Sequence, residues 1–382
     1  MCLSLTAAAI ISLLILPLRL THAATNLDDA VTLIPAEYRH LLVQQLSLAE
    51  NNQQQWLDTI AKAPAEHRPA LAFLLANMPE RDLKALTGDY LLHNIDLAYQ
   101  ARATSPWASA IPEEIFFNEV LPYANLNEKR EDWRGDFFKR FAPLVKDCKT
   151  ANDAAQVLNR EVFKAVNVSY HATKRLKPDQ SPSESMEIHY ASCSGLSIIL
   201  ADACRAVGVP ARVAGTALWA NKSGNHTWVE IWDGQWRYIG AAEPGDFNKT
   251  WFSGLAAKAD DAHVEQRIHA ASFRKTEEPF LLVWDFKSRE FPAVDVTGYY
   301  VNRRKMNVSV VDKDGKPVEG MVQVRQNDVL IAQGKGPKVM FELAADAEYS
   351  VGLGNDGGPG GKSVRLPRDR DMNVNVETSK PK

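Results

Sequence analysis

Cys193, His226 and Glu243 are the residues of this 382-residue chain whose types and surroundings could combine into nucleophilic chemistry. A thiol becomes a nucleophile when a base takes its proton, and an imidazole serves as that base when a carboxylate fixes its tautomer. Cys193 follows Ser192, a favourable N-cap, and opens a stretch in which Leu196, Ile199, Leu200, Ala203, Cys204 and Val207 share one helical face. The thiol therefore falls in a first helical turn, where unbonded N–H groups and the positive end of the helix dipole favour a thiolate. The N–H groups of Cys193 and Ser194 are also ready donors to an oxyanion. Gly208 and Pro210 then stop the helix in the usual order.

His226 begins the run HTWVEIW, and Asp233-Gly234 separates it from QWRYIG. Asp-Gly between two aromatic-rich runs predicts a two-residue hairpin turn. Trp232 then pairs with Gln235, His226 lies opposite Ala241, and Glu243 becomes a diagonal neighbour on the histidine's face, with Gly240 and Ala242 on the other. That register makes Glu243 the orienting carboxylate of a Cys193–His226–Glu243 triad. The chemistry is attack on an amide or related acyl carbon, with His226 as base and then acid, through an acyl-enzyme that water or an amine resolves. Trp219, Asn221, Asn225 and Trp228, in and beside the loop before the histidine, are the expected substrate rim. Gln180, Glu187, His189 and Tyr190 are upstream candidates for a side-chain oxyanion donor. His189, Cys193 and His226 lack the paired spacing of a zinc site, so neither metal nor other cofactor is expected. His263 and His269 read as solvated surface, and the five N-x-S/T sequons as chance matches.

Stepping outward, residues 24–148 are rich in Leu, Ala, Gln and Glu at helical spacing, punctuated by prolines, and predict a layer of about six helices. Phe116, Phe117, Trp133, Phe137, Phe138 and Phe141 are its expected core. Residues 149–257 mix helices with the strand-like runs ARVAGTALW, HTWVEIW and QWRYIG, an α+β catalytic core. A connecting segment, 258–301, is charged and helix-favouring over 258–277. Residues 302–382 alternate as MNVSVVD, MVQVRQ, VMFEL, YSVGL and MNVNVE, an all-β, Ig-like sandwich with GNDGGPGG as a loop.

Cys193 at a helix start, the helix ending Arg-Ala-Val-Gly-Val-Pro-Ala-Arg, then His-Thr-Trp-Val-Glu and a Trp-containing return strand together resemble the transglutaminase-like superfamily. The resemblance spans roughly residues 150 to 255. It implies a papain-like Cys-His-Asp site in a superfamily of cross-linking transglutaminases, peptide N-glycanases and cysteine peptidases or amidases, with Cys193 as nucleophile and His226 as base. The third position departs from that pattern. The aspartate followed by proline falls on Gly240 in a gapless reading, and the nearest acid before a proline is Glu243-Pro244. Either Glu243 replaces the aspartate or the orienter is missing.

Residues 1–23 read as a signal peptide, with an apolar run from Leu3 to Leu18 and small residues Thr21 and Ala23 before the cut. The first residues lack a positive side chain and Arg19 follows the run, so an uncleaved anchor is the alternative. No later segment is apolar and long enough to span a bilayer. A secreted or periplasmic bacterial protein is expected, and the formal net charge of -3 gives no basic field for nucleic acid. Cleavage leaves Cys148, Cys193 and Cys204. The last two lie about 16 Å apart along one helix, so any disulfide must use Cys148. The expected function is a cysteine-dependent acyl-transfer enzyme acting on peptide, protein or cell-wall-type amides, hydrolytic because nothing marks a calcium or amine-donor site. The alternatives are a protein cross-linking transglutaminase and an impaired domain that binds a peptide or glycan.

Overall fold

A computed structural model describes residues 25–354 and 361–378. The expected leader at 1–23 and residues 355–360 of the Gly-rich loop lie outside them. Between Leu27 and Val145 the chain forms eight α-helices, more than the six expected, because prolines start helices as well as separating them. Pro35, Pro79 and Pro112 each hold an N-cap position and Pro69 the first turn, where a missing N–H costs nothing. The aromatic cluster is core as expected: Phe116, Phe117, Trp133, Phe137 and Phe141 are buried and Phe138 packs against them.

The α+β core follows. Helix α1 (Ala151–Ala165) and helix α2 (Cys193–Ala206) cover one face of a five-stranded antiparallel sheet. Its strands are β1 (Ala211–Thr216), β2 (His226–Trp232), β3 (Trp236–Ile239), β4 (Ile268–Ala271) and β5 (Ala293–Asp295), in the order β3-β2-β1-β4-β5. Val213, Val229, Ile231 and Ile239 face the helices, and Trp228, Tyr238 and Ile268 face a second cluster with Phe252 and Tyr300. Segment 258–301 is thus more than a connector, since β4 and β5 come from it, and β4 lies within the stretch 258–277 that was expected to favour helix. His269 is corrected with it: its strand places it 2% exposed, paired with Asp295 across β4–β5.

The motif ending in Val-Gly-Val-Pro-Ala-Arg has structural work at each end. Gly208 takes φ +76, and the N–H of Val209 reaches the Cys204 carbonyl, closing α2 in a left-handed turn that glycine adopts without strain. Buried Arg205 donates to the carbonyls of Ala124 and Ala211, and Arg134 from the helical layer donates to the carbonyl of Arg205. Arg212 pairs across the strands with Glu230 at 2.7 Å, and Glu230 also accepts from Tyr300.

Residues 303–377 form the expected sandwich. It contains β6 (Arg303–Val311), β7 (Met321–Gln326), β8 (Val329–Lys335), β9 (Lys338–Ala344), β10 (Glu348–Leu353), β11 (Lys362–Arg365) and β12 (Met372–Glu377). Sheets β8-β7-β10-β11 and β9-β6-β12 enclose a core of Met306, Val308, Val322, Val324, Phe341 and Val351. The turn between β2 and β3 docks on its edge. Gln235 bridges to Ala332, Gln333 N–H donates to the Gly234 carbonyl, and Arg325 pairs with Glu114 of the helical layer at 2.9 Å.

Candidate active site

Cys193 is the first residue of α2. Ser192 caps the helix as the sequence suggested, its hydroxyl accepting from Gly195 N–H at 3.1 Å, and the same hydroxyl donates to the Pro178 carbonyl. Among the described residues the N–H groups of Cys193 and Ser194 have no acceptor, so both are free to bind a developing oxyanion. Ser194 is buried, its hydroxyl 3.0 Å from that of Thr227, which ties the first turn of α2 to the start of β2. Among the described residues Cys148, Cys193 and Cys204 are free thiols, and no disulfide joins any two of them. Burial raises the Cys148 and Cys204 thiols above their usual range, which leaves them poor nucleophiles at neutral pH.

His226, the first residue of β2, is 9% exposed and packed among aromatic rings. Trp251 and Phe252 lie 4.9 Å from it between centroids, Trp228 lies at 5.9 Å and Trp219 at 6.4 Å. That burial pushes the imidazole down to about 4, so it is neutral at pH 7 and able to accept a proton. Nε2 is buried without a hydrogen-bond partner among the described residues, which leaves Nδ1 as the nitrogen open to the cavity.

The hairpin register differs from the one the sequence suggested. Trp232 pairs with Trp236, so the turn holds Asp233, Gly234 and Gln235. Gly234 takes φ +79, and Gln235 is drawn out to bridge the sandwich. The one-residue shift exchanges faces. Ile239 pairs with Val229 on the helix side, so Gly240 comes onto the face of His226 and Trp228, and Glu243 has no strand position at all. The chain turns instead, with Ala242 at φ +63 and Glu243 N–H donating to the Gly240 carbonyl at 3.2 Å. This folds the Glu243 carboxylate back so that a β-carbon built on Gly240 would lie 2.1 Å from its Oε2. The carboxylate fills the room that a side chain at 240 would use.

Glu243 does not bond the histidine here. Its Oε1 accepts from Trp251 Nε1 at 2.9 Å, and Trp251 stands against the imidazole ring. Burial raises the Glu243 carboxyl, offset in part by that indole donor. Asn159 of α1 holds the turn from beneath, donating to Gly240 O and accepting from Ala242 N–H, both at 2.9 Å. Sequence reasoning missed Asn159, although a polar residue beside Leu158 on an otherwise apolar stripe was a usable signal.

Cys193, Ser194, Asn225, His226 and Glu243 line one cavity of about 650 Å³, closed on its other sides by Tyr170, Arg175, Trp251, Val283 and Trp284. Those five went unnoticed in the sequence because they come from three distant segments. Three of the four expected rim residues are corrected. Trp219 and Trp228 are buried and stacked at 6.0 Å behind the histidine, where Trp228 Nε1 donates to Tyr300. Asn221 is exposed and outside the cavity; Asn225 alone of the four lines it. The upstream donor candidates are placed elsewhere too. Buried Gln180 donates to the Tyr190 carbonyl, His189 contacts Asn167, and neither these two nor Glu187 and Tyr190 reach the cavity lining.

Residues 139–241 match the model of the Transglutaminase-like superfamily, a span that includes Cys193 and His226 and ends before Glu243. Among solved structures, the chain is similar to a proposed cysteine protease from Cytophaga hutchinsonii (18% identity, 50% of this chain and 66% of that one, TM-score 0.30). It is similar also to red sea bream transglutaminase (11% identity, 68% and 64%, TM-score 0.32) and to a proposed protease from Parabacteroides distasonis (9%, 52% and 34%, TM-score 0.27). The chain spans less than two thirds of the length of each. A search of curated proteins gave no match.

Proposed function

We propose that the chain is an exported cysteine amidase or peptidase of transglutaminase-like type, acting on peptide, protein or cell-envelope amides by a thiol acyl-enzyme mechanism. The observation that carries this reading is the junction of a helix-first-turn cysteine and a neutral histidine on one cavity. His226 Nδ1 takes the thiol proton as Cys193 Sγ attacks the acyl carbon. The N–H groups of Cys193 and Ser194 receive the oxyanion. The imidazolium then returns the proton to the departing amine, leaving a thioester. Cys193 is half-exposed, so water reaches that thioester, which favours hydrolysis over transfer to an amine. Glu243 is the proposed orienter, acting from the room left by Gly240.

Alkylation by iodoacetamide, read cysteine by cysteine by peptide mass spectrometry, tests the reading. Cys193 should react well ahead of Cys148 and Cys204, by about tenfold or more, and His226→Ala should remove most of that advantage while the circular dichroism spectrum is unchanged. Equal, slow labelling of Cys193 in both proteins would instead support a binding module with an enzyme-like fold.

A further inference from the structure

The cavity beside Cys193 contains a cation without a counter-ion. Arg175 is half-buried, lines the same cavity as the thiol, and makes no ion pair or hydrogen bond among the described residues. The acidic side chain in the lining is Glu243, already engaged by Trp251. The neighbouring cations are occupied: Lys177 pairs with Glu184 at 3.1 Å, and Lys174 sits 5.5 Å from the Tyr190 ring centroid.

The loop that carries Arg175 is fastened to the residues leading into the nucleophile. Leu176 N–H donates to the Gln180 side chain at 3.0 Å, that side chain donates to the Tyr190 carbonyl, and the Pro178 carbonyl accepts from the Ser192 cap. His171 Nδ1 accepts from the N–H groups of Thr173 and Lys174 at the loop's other end. The backbone that carries Arg175 is therefore set relative to the first turn of α2 by a chain of hydrogen bonds, and the guanidinium reaches into the cavity from that fixed base.

We infer that Arg175 is a specificity-determining residue, selecting acyl donors that carry a carboxylate close to the scissile amide; this rests on Cys193 being the nucleophile. A planar guanidinium matches a carboxylate bidentately, and partial burial strengthens that pairing over an exposed one. Tyr170, Trp251 and Trp284 line the same cavity and supply aromatic surface for the uncharged part of the substrate. A lysine or arginine at that substrate position is repelled.

The test compares two alkylating probes on the full chain at low salt. Iodoacetate carries the carboxylate and iodoacetamide is its neutral analogue. The ratio of their second-order rates at Cys193 should fall about fivefold in Arg175→Gln, with the iodoacetamide rate held, and should be largely kept in Arg175→Lys. Cys193 reactive to both probes, at a ratio that Arg175→Gln leaves unchanged, overturns the inference alone. Cys193 inert to both overturns the nucleophile and the inference with it. Protection of Cys193 from iodoacetamide by short peptides then separates the two sources of carboxylate. Protection by free-acid but not amidated peptides points to a chain terminus, and protection by amidated peptides containing Glu but not Gln points to a side chain. Equal protection by all, or by none, overturns the carboxylate preference.

Discussion

At the scale of single residues, the site depends on a histidine kept neutral by its surroundings. With the imidazole pushed down to about 4 by burial, the acid limb of kcat/KM should fall near pH 4, well below the ordinary histidine value near 6.5, and a pH–rate profile reads this directly. The same shift has a sign for folding. The unfolded chain binds that proton first, so stability falls as pH drops from about 6.5 to about 4. The carboxylate provides a second residue-scale outcome. Glu243→Ala should lower kcat on the order of a hundredfold or more, and Gly240→Asp combined with Glu243→Ala should recover much of it by restoring a carboxylate to the same room. A Glu243→Ala variant with kcat unchanged would remove Glu243 from the mechanism, and a double variant as slow as the single one would show that position 240 cannot supply the carboxylate. Cys193 and His226 were readable in sequence because each depends on its own few neighbours, a cap and a strand start. Glu243 was readable as a residue but not as a geometry, because its position follows from a turn one residue longer than Asp-Gly implies.

At the scale of elements, the helix that Cys193 opens and the strand that His226 begins were legible from periodicity, with the cap at Ser192 and the left-handed stop at Gly208 where expected. What escaped was any strand whose pairing is decided at long range. Ile268–Ala271 and Ala293–Asp295 are short, and the first is embedded in a charged stretch that favours helix, yet both complete the sheet because their partners bury them. The longer hairpin turn has the same origin. Gln235 could have paired with Trp232 within the hairpin, but it is drawn to Ala332 more than ninety residues away.

At the scale of the whole molecule, the layer, core and sandwich expected from composition are present, and their mutual docking is what the sequence could not convey. Gly234 is one point of contact. It needs φ +79, and a β-carbon there would lie 2.6 Å from the Gln333 carbonyl, a backbone atom that cannot step aside. Gly234→Ala should therefore cost about 1–2 kcal/mol and loosen the sandwich. Faster limited proteolysis around residue 302, with Cys193 reactivity retained, checks it. The docking also bears on self-association. An edge strand with unpaired N–H and C=O groups is a template on which a second chain can add and begin an aggregate. Strand β8 is such an edge of its four-stranded sheet, and the hairpin turn sits across it at Ala332 and Gln333. The opposite edge, β11, is short and exposes Lys362 and Arg365. One edge of this sheet is thus blocked by the α+β core and the other guarded by charge, so the four-stranded sheet resists polymerising only while the sandwich remains docked.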